Sequence, residues 1–161
     1  MKIIFVLLFT FLSLLGGSYD FKEQRYIYSI DKEIEMQGRI NFDKVGMSID
    51  YSAPEVRHII YDGRSMDVVD AEGKTIQHVD LNDTPMMKIY MDFIHKLYRG
   101  DYEALSENFK IQKTQTAVLM TPIPPIDKVI KSVIIHKTPK GLSQIKTKMS
   151  NGDEITLHIT Q

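Results

Sequence analysis

The side chains best suited to metal or acid–base chemistry are five histidines, His58, His78, His95, His136 and His158. No two of them stand at an H-x-H or H-x-x-x-H spacing, which would set both rings on one face of a strand or helix. The chain has no cysteine, so it offers no thiolate ligand, catalytic thiol or disulfide. The histidines are therefore read as exposed strand and helix positions, and neither a metal nor another cofactor is expected. Asp62-Gly63-Arg64-Ser65 sets a serine beside a tight turn, but it lacks the G-x-S-x-G elbow and belongs to a hairpin, so Ser65 is read as a turn residue. Carboxylates are numerous, yet none clusters with another in an apolar context that would raise a pKa for acid–base work. No catalytic residue is expected, and the chain is read as a non-enzyme.

Methionine is the unusual component: nine residues, with no tryptophan in the chain. Met86, Met87 and Met91 fall on one predicted helix, and Met47 and Met66 fall on predicted strands. The side chain is flexible and polarizable, so a surface lined with it can re-pack around ligands of differing shape. The same residues serve equally well as gap fillers in an ordinary core, and composition leaves both readings open.

These residues must be positioned by whatever follows the N-terminal segment. Lys2 precedes the apolar run Ile3 to Leu15, which ends at Gly16-Gly17-Ser18, the arrangement of a secretory signal peptide over residues 1–18 cleaved near Ser18. The run is shorter than the roughly twenty residues of a spanning helix. What remains, 19–161, is enough for one domain with a core. Twenty basic and 21 acidic residues, for a net charge of −1, are interspersed, which leaves no footprint for nucleic acid or anionic headgroups. An exported chain without cysteine fits a bacterial periplasm, and a monomer is expected.

Short runs alternate apolar and polar residues with period two, the pattern of antiparallel sheet with one face turned inward. Met47, Ile49 and Tyr51 form one such set, Ile155, Leu157 and Ile159 another, and Tyr26, Tyr28 and Ile30 a less regular third. Asp62-Gly63, Glu72-Gly73, Lys140-Gly141 and Asn151-Gly152 mark turns. Eleven strands are predicted, at 21–30, 33–42, 46–52, 56–61, 65–70, 75–81, 109–114, 116–121, 129–137, 142–149 and 153–160. One segment breaks the pattern. Thr84 is a candidate N-cap with Pro85 at the first helical position, and Met87, Tyr90, Met91, Ile94, Leu97 and Tyr98 share one helical face. Gly100 ends that helix, and Asp101 caps a second short helix to about Glu107. A sheet of eleven antiparallel strands must curl. The expected fold class is mainly β (α+β), a curved half-barrel of about eleven antiparallel strands covered by a short helical insertion.

The order of these motifs resembles the periplasmic lipoprotein carriers of the LolA type, in the variety found in Bacteroidota. The pieces are Gly38-Arg39-Ile40-Asn41-Phe42, Met47-Ser48-Ile49-Asp50-Tyr51 with Pro54, and Asp62-Gly63. After the helices come Gly100-Asp101 with Leu105 and Phe109, then Leu119-Met120-Thr121-Pro122, then Asn151-Gly152-Asp153-Glu154-Ile155-Thr156. The chain departs from the family pattern where Asp43-Lys44 replaces an arginine-proline pair and Ile49 a tryptophan. The resemblance implies a half-barrel whose apolar cavity receives the acyl chains of lipoproteins, taken from an inner-membrane ABC transporter and delivered to the outer membrane, where a receptor is a further expected partner. In that reading Met47, Ile49 and Tyr51 lie on the concave face and Met87, Tyr90, Met91 and Ile94 form the helical cover. The alternative is a periplasmic binding protein or sensor of the same fold that holds another apolar ligand, such as a free lipid or a polyene.

Overall fold

The computed structural model describes residues 16–160; the expected signal peptide lies, as far as Leu15, outside the described residues. Eleven strands follow one another as β1 (Gly16–Ile27), β2 (Lys32–Asp43), β3 (Met47–Ala53), β4 (Arg57–Tyr61), β5 (Ser65–Val69) and β6 (Thr75–Asp80), then, after the helix α1 (Pro85–Tyr98), β7 (Phe109–Lys113), β8 (Ala117–Pro122), β9 (Ile130–Thr138), β10 (Gly141–Met149) and β11 (Glu154–Thr160). All belong to one antiparallel sheet in the order β6-β5-β4-β3-β2-β1-β11-β10-β9-β8-β7. The edge strands β6 and β7 do not pair with each other, so the sheet is open.

This order places α1. The chain meanders from β1 at the centre out to β6, must next begin β7 at the opposite edge, and then meanders back until β11 pairs with β1. A connection between opposite edges has to cross one face of the sheet, and α1 is the part that crosses. Register shifts at Gln37/Gly38, Val68/Val69, Leu142/Gln144 and Lys148/Met149 add the local bend and twist that bulges bring. At the first of them the strands approach so closely that a Cβ on Gly38 would lie 2.2 Å from the Asp50 carbonyl oxygen; only glycine fits.

Three local expectations are corrected. The second helix is a single 3-10 turn at Glu103–Leu105, because α1 ends at Gly100, whose φ of +71° only glycine adopts readily, and Asn108 turns straight into β7. Thr84 does not cap α1 through its side chain; its hydroxyl instead donates back to the Asp80 carbonyl at 3.1 Å. Tyr28 and Ile30 leave the sheet for a 3-10 turn, where the Tyr28 N–H donates to Asp153 Oδ1 at 2.9 Å and its ring covers Gly152.

The core is filled on one side of α1. Phe93 stacks on Phe109 with ring centroids 5.0 Å apart, and Leu105, Val118, Met120, Ile126, Ile130, Val133 and Ile135 are all buried with them in one cluster. Two polar contacts clamp the helix to the other half of the sheet: the Tyr61 hydroxyl donates to Asp92, and His95 Nε2 donates to the Asp43 carbonyl at 2.7 Å. His95 is thus buried, against the expectation of an exposed histidine.

Candidate functional site

The other side of α1 is hollow. A cavity of about 480 Å³ lies between the helix and the inward faces of β1, β3, β4, β5, β10 and β11. Ile49 and Tyr51 of β3, Ile59 of β4 and Met66 of β5 form one wall, and Ile145, Ile155 and Leu157 form the opposite one. Met86, Met87, Tyr90, Met91 and Ile94 of α1 roof it. The walls are apolar because period-two alternation sends every second residue of each strand to this face, and the roof is apolar because the i, i+3, i+4 stripe of α1 faces down.

Six of the seven residues singled out in the sequence therefore meet around one space: Ile49, Tyr51, Met87, Tyr90, Met91 and Ile94. Met47 does not join them. It is buried on the same face of β3 one pair of residues earlier and borders a second depression, beside Phe42, Tyr61 and Gly17. Met87 is the most open of the set, 39% exposed, and stands at the mouth.

Sequence reasoning missed the polar part of the lining. β1, the middle strand of the sheet, turns Phe21, Glu23 and Arg25 inward in succession, and both charged residues line the cavity. Glu23 is only 3% exposed. Arg25 Nε donates to Glu23 Oε1 at 2.8 Å, one Nη stands 2.6 Å from the same oxygen, and the Tyr51 hydroxyl donates to Oε2 at 3.1 Å. Both carboxylate oxygens are thus satisfied. Burial works against the Arg25 cation, but the Glu23 carboxylate beside it more than compensates, and the Arg25 pKa lies above its ordinary value. Burial, joined by the Glu23 charge, pushes the Tyr51 phenol up, and burial does the same for Tyr90 and Tyr98. All three phenols stay neutral and can donate a hydrogen bond. The signal in the sequence was the alternation Phe21-x-Glu23-x-Arg25, which resembles an exposed strand face unless β1 is known to be central.

The remaining candidates do not converge. His58 bonds Asp50 at 2.9 Å and His78 bonds Asp67 at 2.5 Å, each away from the cavity, while His95 holds α1. Among the described residues no group of three or more histidine, cysteine or carboxylate side chains could hold a metal ion, and no helix is long and apolar enough to cross a membrane. The arrangement can sequester an apolar chain and offer it polar contacts at Arg25, Thr147 and Asp153.

No family model matches the chain, and no curated protein sequence does. Among solved structures it is similar to a LolA superfamily protein from Nitrosomonas europaea, at 8% identity and a TM-score of 0.44 over 91% of this chain and 84% of that one. It is also similar to an outer membrane lipoprotein-sorting protein domain from Vibrio parahaemolyticus, at 8% identity and a TM-score of 0.45 over 91% of this chain and 83% of that one. The chemistry of the site is read from this chain's own residues.

Proposed function

We propose that the protein is a periplasmic carrier that holds the acyl chain of a lipoprotein in the cavity under α1 and moves the lipoprotein from the inner to the outer membrane, catalysing no reaction. The observation that carries this reading is the lining: aliphatic walls beneath a roof with three methionines, with Met66 and Met149 also facing the space. Moving a methylene out of water is worth roughly 0.8 kcal/mol, so a sixteen-carbon chain represents on the order of 12 kcal/mol. No such chain crosses an aqueous compartment unaided, and a flexible lining lets a carrier both seat and release it.

A methylene occupies about the volume of a water molecule in the liquid, ~30 Å³, so one long chain fills the space. A second or third chain of the same lipoprotein would require α1 to lift from the sheet. The carrier would take its load from an inner-membrane ABC transporter and hand it to an outer-membrane acceptor, acting as a monomer exported by the segment 1–18. The single-chain volume also favours a second reading, a binding protein for a free single-chain lipid.

The test is to add the purified protein to spheroplasts that synthesise a labelled lipoprotein. Release of the lipoprotein into the medium as a soluble complex supports the carrier. If the lipoprotein stays on the membrane while single-chain lipid is recovered from the protein, the second reading replaces it.

A further inference from the structure

An ion pair whose carboxylate is buried often stabilises a fold no better than well-packed apolar residues of the same volume. Stability therefore does not explain why the middle strand of the sheet carries Glu23 and Arg25 on its inward face, between Phe21 and the apolar walls. Among the described residues the side-chain hydrogen bonds of Arg25 all go to Glu23, and a guanidinium has five N–H donors. Arg25 lines the cavity and its side chain is 38% exposed, against 4% for Glu23, so the donors left over are accessible at the edge of that space. Glu23 also fixes the guanidinium from behind, which lowers the ordering cost of any bond that it makes.

We propose that Arg25, held by Glu23 and Tyr51, is a polar subsite that receives the carbonyl oxygen of an ester- or amide-linked acyl chain. The inference rests on the reading that the cavity holds acyl chains. A neutral acceptor is selected because the Glu23–Arg25 pair is neutral as a whole and Asp153 adds a further carboxylate to the lining: the carboxylate of a free fatty acid would meet Glu23 Oε1 beside the cation that it sought, whereas a carbonyl accepts the N–H without bringing a charge. The subsite would thereby distinguish a chain linked to a headgroup from a free acid or an alkyl ether of equal length.

The experiment compares 1-palmitoylglycerol, 1-O-hexadecylglycerol and palmitate, with dissociation constants measured for the wild type and for the double variant Glu23→Leu/Arg25→Met. The first two ligands share chain length and headgroup and differ by one carbonyl. A hydrogen bond from a charged donor predicts that the wild type binds the ester about tenfold more tightly than the ether, with palmitate no tighter than the ether, and that the double variant binds ester and ether alike. Removing both charges together avoids stranding one of them, and the wild-type comparison needs no variant. Equal affinity for ester and ether in the wild type, a preference for palmitate, or an ester preference that survives in a folded double variant would each overturn the subsite. If the folded wild type binds none of the three ligands, the acyl-chain reading of the cavity falls, and the subsite with it.

Discussion

The two sides of α1 are built from the same residue classes and do opposite things. Toward β7–β9 the helix offers Phe93 to Phe109 and to strands whose Ile130, Val133 and Ile135 leave no surface exposed. Toward β3–β5 it offers Met87, Tyr90, Met91 and Ile94 to a space that Ile49, Ile59 and Met66 line without filling. Flat aromatic rings and β-branched side chains interdigitate to crystal-like density, whereas unbranched methionines tolerate an incomplete fit. One half of the molecule is thus a scaffold for the other: the filled side fixes α1, and the hollow side is kept open beneath it.

The contrast is broken most severely on the filled side. Phe93→Ala removes a ring that is 1% exposed and should lower the unfolding free energy by about 3–5 kcal/mol in urea titration. A smaller, paired effect sharpens the comparison. Val133→Phe overpacks a full core and should cost about 1–3 kcal/mol, while Ile59→Trp grows into empty space, should cost clearly less, and should weaken lipid binding that Val133→Phe leaves intact in the folded fraction. Tyr61→Phe removes the hydroxyl that holds the Asp92 carboxylate of α1 and should cost about 1.5–3 kcal/mol, with faster amide exchange in α1 than in β9.

The smallest effect concerns acid. The Asp43 carboxylate accepts from the N–H groups of Gly46 and Val45, and that of Asp62 from Ser65 and Arg64; these bonds hold both carboxyls below their ordinary value of 3.8. A group whose folded pKa is depressed contributes stability above its unfolded pKa and loses it as pH falls through the folded value. The double variant Asp43→Asn/Asp62→Asn should therefore lose less stability than the wild type as pH falls below about 4, in thermal melts followed by circular dichroism.

Much of this was legible in the sequence because it is local. Alternation and glycine turns place all eleven strands within a few residues, and Pro85 with the stripe from Met87 to Ile94 places α1 and its cavity face. Long-range partners escaped. Tyr28 looks like one more strand residue until Asp153, far along the chain, captures its N–H. His95 looks like a surface histidine until the crossing helix sets it against Asp43. Glu23 and Arg25 look like the outer face of a strand, since charged residues at alternate positions usually meet water; only the central place of β1 turns them inward. Met47 shows the limit of a periodic pattern, which assigns a face but not where along the strand the cavity ends.

The central claim is that the space under α1 is a seat for an acyl chain and not a packing defect. Native mass spectrometry of the purified protein with an acylated lipopeptide, run in parallel for the wild type and Ile59→Trp, tests it directly. The account predicts a one-to-one complex for the wild type and its loss in the folded variant; no complex with the wild type, or an equal one with the cavity filled, would contradict it.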